Sequence, residues 1–484
     1  MINLIGNELK KVFKKKTIYI LFIIIIGYII LSNIILKLTD TGYGYNYYYE
    51  DIDFYKSYIS ELDPNSPEDY PYFAEYTRQI RVLELTKEYG NSSWQAYIIN
   101  NKLAGYIDTI IDYEYSKGVS QEAYTEAKSA YDEALVKLET GDWKYFAQKE
   151  IEYAENSIKE QEALLNSTQD HESINSIKQT IANLKVDKQT EEWRLEKNIS
   201  YAPSFLNTAI QQYYINQTAL NSYLNTDINN LPADELSYYN NALENANLNK
   251  YYIENNIDLD SNSREVFINL FGNYELFIIL VGIVIAGSIV SEEFNRGTIK
   301  LLLVKPYSRI KILLSKFIVC LIILILTIVF IYLFQLIAGG IIHGFDGMTT
   351  DAIIFNFDTN KVENINIFAY VELTGLCKLP MYILLTALAF TCSTLFTNTA
   401  IAVSVPFLGY IASSIINQFA LLYDIRQVIY FVTPNWDLNC YLFGGTPMFE
   451  GLTLPFSIAI CTIYLAIMLV INCIVFKKRD IKNI

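Results

Sequence analysis

Six apolar runs, at 17–36, 266–290, 317–342, 380–396, 400–419 and 454–476, decide most of what this 484-residue chain can fold into. Each approaches or exceeds the roughly 17 to 25 residues that a helix needs to cross a bilayer core. A backbone in hydrocarbon must satisfy its polar groups within the protein, and separate runs of this length do so as helices. With 52% hydrophobic and 18% charged residues, the chain is too apolar for an ordinary soluble enzyme and too charged to lie wholly in a membrane. The expectation is therefore an all-α protein: a six-span helical membrane protein with a helical, coiled-coil-containing extracytoplasmic domain. Its parts are an interfacial helix and first span (1–38), the polar domain (39–265), and spans two to six (266–484).

Charge sets the orientation. The formal net charge is -15, yet most of the acid lies between residues 39 and 270 while basic clusters flank the apolar runs. The start, MINLIGNELKKVFKKK, places Ile2, Ile5, Leu9, Val12 and Phe13 on one helical face with Lys10, Lys11, Lys14, Lys15 and Lys16 around it, as in an interfacial helix. A signal peptide also begins with a basic stretch, but the run at 17–36 is long enough to span and no small-x-small cleavage site follows. With both termini cytoplasmic, those lysines and Lys477, Lys478, Arg479 and Lys482 fall on the cytoplasmic side of a bacterial cell membrane, and the acidic domain falls outside.

Within the polar domain, Ala147, Ile151, Ala154, Ile158 and Leu165 recur at helical spacing, as do Ile174, Ile177, Ile181 and Leu184 after a turn at 167–170. This pattern predicts an antiparallel helical hairpin. Further helices are expected at 68–89, 92–115, 121–139, 204–224 and 233–255, and no convincing strand alternation is visible. All six cysteines lie in the membrane half, so helix packing rather than disulfides must stabilise this domain.

The stretch from Tyr274 to Lys316 joins two spans through a short basic segment, SEEFNRGTIKLLLVKPYSRIKILLSK. Ser291, Glu292 and Glu293 offer N-cap chemistry, Gly297 and Pro306 interrupt the helix, and Arg296, Lys300, Lys305, Arg309, Lys311 and Lys316 are expected to hold it outside the hydrocarbon. Here the chain resembles the ABC-2 family of transporter permeases, in which Glu-x-x-x-Gly-Thr followed by Leu-Leu, Pro and Ser-Arg forms a coupling helix seated on an ATPase. The matching residues are Glu293, Gly297, Thr298, Leu302, Leu303, Pro306, Ser308 and Arg309. The resemblance covers residues 1–38 and 266–484. It implies a coupling helix at 291–311 that also includes Glu292, Arg296 and Lys300, a separate ABC ATPase carrying ATP and Mg, and a second permease copy or paralogue in the bilayer. The first and third spans would bracket a gate, and an amphipathic peptide, drug or lipid would be exported.

Other chemistry has little support. No G-x-x-x-x-G-K-[ST] loop is present, so no cofactor is expected in this chain and ATP hydrolysis belongs to another subunit. His171 and His343 are far apart and outside any H-E-x-x-H frame, and basic patches interleaved with aromatics are absent away from the spans, which argues against zinc proteolysis and nucleic-acid binding. Glu275 and Lys378 could line a substrate path, although their places near span ends favour snorkelling outward. Gly282, Gly287, Ser288, Ser404, Gly409, Ser413 and Ser414 would let helices approach closely. A second reading is an envelope interaction or sensor protein whose outer domain binds a partner and whose membrane part is an anchor or relay. An anchor, however, has no use for a re-entering basic helix.

Overall fold

Among the described residues, six helices are long and apolar enough to cross a membrane: Lys16–Thr39, Glu275–Asn295, Arg309–His343, Ile367–Leu395, Thr399–Leu422 and Leu454–Lys478. The computed structural model describes residues 1–39, 52–259, 262–298 and 307–479, and these divide between two compact units. One unit contains Met1–Asp40 and Asp260–Ile484; the other is Thr41–Leu259.

In the membrane unit the fourth span is the hub, packing against the second, fifth and sixth, while the third packs against the first and second. Burial follows this arrangement: 67% of the second span's apolar window is inside the protein but only 11% of the sixth span's, so the second is core and the sixth presents most of its surface outward. Small residues make the close contacts possible. A Cβ on Gly282 would lie 2.5 Å from Thr386 Oγ1, and one on Gly287 would lie 2.8 Å from Val403 Cγ2 and 3.0 Å from the Ala402 carbonyl. Gly409 shows no such approach, its nearest atom lying 3.9 Å away on Leu388. A buried polar knot links the first three spans: Asn33 Nδ2 donates to Gln335 Oε1 at 2.9 Å, and the Tyr274 hydroxyl donates to the same oxygen at 2.6 Å. All six cysteines are free.

Three local features differ from the sequence expectation. The approach to the second span is broken into Asn262–Ile268, Leu270–Asn273 and Glu275–Ile289, which places Glu275 in the first turn of the last piece. The polar stretch after the third span contains an antiparallel hairpin, β1 (Ala352–Asn356) and β2 (Lys361–Ile365), turned by Asn360 at φ +52°. The fourth span begins well before the apolar run at 380–396: Asn366 accepts from the backbone N–H groups of Phe368 and Ala369, and the helix it caps runs unbroken from Ile367 to Leu395.

The polar unit is helical throughout its main elements. Helices Trp143–Ser167 and His171–Lys197 form the expected hairpin, with Ala147, Ala154, Ile177 and Ile181 buried and Asp170 capping the second helix through the Ser173 N–H at 2.8 Å. Helices at Tyr70–Tyr89, Gln121–Thr140, Phe205–Asn221 and Ala233–Glu254 also occur where periodicity places them. The helix expected at 92–115 is instead Trp94–Ile98 and Ala104–Glu114 around a π-turn at Ile99–Leu103. Tyr97 and Tyr201 stack with centroids 5.2 Å apart, and Tyr201 is fully buried, so part of the tyrosine content is core.

Candidate functional site: a charge-locked elbow

The second span ends because its geometry is capped from outside the helix. Ser393 Oγ, on the fourth span, accepts from the N–H groups of Val290 at 3.2 Å and Ser291 at 2.9 Å. The chain bends there and makes one more short helix, Ser291–Asn295. Ser291 does not cap that helix as expected. Its hydroxyl donates back to the Gly287 carbonyl at 2.6 Å, because it is buried and the nearest free acceptor lies in the preceding turn. Gly297, at φ +69°, takes the left-handed conformation that ends the helix, as its identity suggested.

The segment expected to form the coupling helix, 291–311, is interrupted at Gly297 as its sequence indicates. Lys300, Leu302, Leu303, Lys305 and Pro306 lie outside the described residues. Ser308 and Arg309 belong to the third span, whose first turn Ser308 caps by accepting from the Lys311 N–H at 3.3 Å. Arg309 Nη1 donates to the carbonyls of Lys477 at 3.1 Å and Arg479 at 3.3 Å, closing the C-terminal end of the sixth span. The Arg479 guanidinium in turn covers the Phe294 ring at 4.1 Å, tying the short elbow helix to the end of the chain's last helix.

Beneath the elbow lies a cluster of charges. Lys316, expected to stand outside the hydrocarbon, has no exposed surface. Its Nζ contacts Glu8 Oε2 at 2.7 Å and Glu293 Oε1 at 2.9 Å. Lys11 bridges the same two carboxylates, at 2.6 Å to Glu8 and 3.1 Å to Glu293, and Lys15 meets Glu292 at 2.9 Å. Arg296 is 4.0 Å from Glu292, and the Thr298 hydroxyl donates to the Glu293 carbonyl at 3.4 Å. Burial works to raise the Glu8 carboxyl, but Lys316 and Lys11 outweigh it and hold the group below its usual range. Burial likewise opposes charge on Lys11, and Glu8 and Glu293 overcome that and raise it.

Glu8 is the residue that sequence reasoning missed. Of the face read as Ile2, Ile5, Leu9, Val12 and Phe13, Val12 is buried and Ile5 and Leu9 pack partly buried against the core, while Ile2 is 84% exposed, Phe13 is exposed, and Leu4 and Glu8 are buried. The i, i+4 spacing of Leu4, Glu8 and Val12 was the available signal, since it places an acid on a buried stripe.

At another position in the same unit, Glu275 and Lys378 form an ion pair with each other rather than snorkelling apart. The Tyr410 hydroxyl donates to Glu275 at 2.7 Å, and Asp437 lies 3.5 Å from Lys378, so the second, fourth and fifth spans and the loop before the sixth share one network. Neither charged group contains a nucleophile set against a base, and among the described residues no set of histidine, cysteine or acid side chains is arranged to hold a metal. These networks join helices and fix their relative positions.

The geometry defines a multi-pass membrane protein whose spans are locked at one end by buried ion pairs. The chain belongs to the family described as "Protein of unknown function (DUF2705)", which matches residues 205–482. Among its relatives, the "Uncharacterized protein YhcI" of Bacillus subtilis is 33% identical over 242 residues, covering 50% of this chain and 76% of that protein. The "Uncharacterized membrane protein YdbK" of the same organism is 30% identical over 200 residues, 41% of this chain and 76% of that protein. No solved structure matches.

Proposed function

We propose that this chain is the membrane-spanning subunit of an ATP-driven exporter of the ABC-2 type, and that the Ser291–Asn295 elbow is where a separate ATPase engages it. One observation carries this reading: Lys316, fully buried on the third span, holds both Glu8 of the N-terminal helix and Glu293 of the elbow. A force applied to a free surface loop would dissipate in that loop. Applied to this elbow, it reaches the N-terminal helix and the third span through direct ion pairs.

The proposal carries an orientation, with both termini cytoplasmic and the acidic unit outside, following the placement of the basic clusters. It also requires partners: an ATPase that binds ATP and Mg, and a second permease copy or paralogue. Apolar spans surrounding a few buried polar groups suit an amphipathic cargo such as a peptide, drug or lipid better than a small hydrophilic ion. Within this reading Glu293 and Glu292 hold the elbow to the N-terminal helix and the third span, Arg296 is exposed toward the partner, and Arg309 acts indirectly by fastening the sixth span.

Affinity isolation of the tagged chain from native membranes in mild detergent tests the proposal. A P-loop ATPase should co-purify in stoichiometric amount, and Glu293→Lys, which breaks the buried ion pair with Lys316, should reduce its retention about tenfold among chains that remain inserted, as should Arg296→Glu at an exposed position of the elbow. Recovery of the chain without any P-loop protein would favour an envelope anchor or sensor instead.

A further inference from the structure

Between the N-terminal helix, the start of the first span and the elbow lies a cleft of about 760 Å³. Its walls carry five cations, Lys11, Lys14, Lys15, Lys16 and Arg296, against three carboxylates, Glu8, Glu292 and Glu293. The carboxylates are engaged by the inner cations: Lys11 takes Glu8 and Glu293, and Lys15 takes Glu292. Lys14 and Lys16 are exposed and make no ion pair among the described residues, and Arg296, with a side chain 74% exposed, reaches Glu292 only at 4.0 Å. Thr298 adds a hydroxyl to the lining.

The cleft's height relative to a membrane follows from its position in the chain. Lys14, Lys15 and Lys16 are the junction between Ile2–Phe13 and the first span. Apolar residues are exposed on both sides of that junction, with Phe13 at 42% before it and Tyr19 and Ile20 at 56% after it. An amphipathic helix followed immediately by a span sets this junction at the level of lipid headgroups.

We infer that this cleft binds a phosphate group, presented by the headgroup of an anionic phospholipid, through Lys14, Lys16 and Arg296. The paired inner carboxylates do not repel it, because each already faces a lysine, and the surplus of positive charge lies on the rim where the anion enters. A phosphodiester held there would bridge the first-span junction to the elbow and so stiffen the arrangement described above. The inference does not depend on the transporter reading, since it requires only a bilayer and these side chains.

The test uses the full-length chain in neutral detergent, titrated separately with phosphatidylglycerol, phosphatidylcholine and inorganic phosphate, with thermal midpoint and native mass spectrometry as readouts. Phosphatidylglycerol should raise the midpoint and remain bound, and phosphatidylcholine should do neither. The Lys14→Gln/Lys16→Gln/Arg296→Gln variant should weaken binding about tenfold or more, and Arg296→Gln alone, at an exposed position, about threefold. Lys477→Gln/Lys478→Gln, which removes charge elsewhere, should leave it unchanged. If inorganic phosphate reproduces the effect, the site stands and its source is soluble; if only the lipid does, the headgroup is the occupant. Equal responses to the two lipids, or equal loss in the Lys477/Lys478 variant, would overturn the assignment, since the attraction would then be diffuse.

Discussion

Lys316 is enclosed by apolar helices, and its ammonium is compensated by two carboxylates, Glu8 and Glu293. Removing Lys316 leaves Glu8 and Glu293 to share Lys11, a loss that approaches the roughly 3 to 5 kcal/mol of a broken buried pair, while replacing Lys316 and Glu8 together by apolar groups costs far less. Lys316→Met alone should therefore lower the thermal midpoint sharply, and Lys316→Met with Glu8→Leu should recover much of it, as a double-mutant cycle in detergent would measure. Independent additive losses would mean that the contact carries no coupling. In the polar unit, Asp187 is pushed up to about 6 by burial, against the opposing pull of Lys102 and with help from Glu150 and Glu191. Its folded pKa is raised above the unfolded value near 3.8, so the folded state binds the extra proton between those values and gains stability as pH falls through 6. Tyr214 also faces this group, and Arg194 offsets Glu191. With Asp187 partly exposed, solvent screening reduces the expected effect to roughly 1 to 2 kcal/mol. Unfolding measured at pH 7.5 and 5 should show that gain in the wild-type protein and lose most of it in Asp187→Asn. At this scale the sequence was least legible: it displayed the types and spacing of the charged residues but not which of them a bend in the chain would bring together.

Whole elements were easier to read than their ends. The apolar runs and the paired stripes of the 143–197 hairpin reported burial directly, because periodicity records which face is covered. The bend after Ile289 was harder, since its cap is Ser393, about a hundred residues away in sequence. The hairpin at Ala352–Ile365 was missed because two five-residue strands give little alternation, although AIIF and the left-handed Asn360 were its local signs. The close approach of the second and fifth spans, by contrast, was visible in Gly287. Substituting Gly287→Val places new atoms against the Ala402 backbone, which cannot swing aside as a side chain can. A loss of about 1 to 3 kcal/mol is expected, read as a lower unfolding midpoint. Gly409→Ala, where the nearest neighbour is 3.9 Å away, should be nearly neutral by the same measurement.

For the molecule as a whole, segregation of charge by segment predicts a topology with both termini cytoplasmic and the acidic unit outside. In a cysteine-free background, a cysteine at Gln161 should react with an impermeant thiol reagent on intact cells, and one at Asn295 should react only after the membrane is opened. The reverse pattern would invert the protein and separate the elbow from any cytoplasmic ATPase. The same charge segregation and the apolar runs made the two-zone, all-helical organisation legible from residues alone, because the bilayer leaves a backbone few alternatives. The motion of such a molecule depends on whether its elbow transmits work, and ATP hydrolysis by the assembled complex in lipid vesicles measures this most directly. The account predicts that the co-purified ATPase turns over faster with the wild-type chain than alone, and that Glu293→Lys, which breaks the buried contact to Lys316, abolishes the stimulation in the chains that remain inserted and folded. Full stimulation by the Glu293→Lys chain, or none by the wild-type chain, would contradict it.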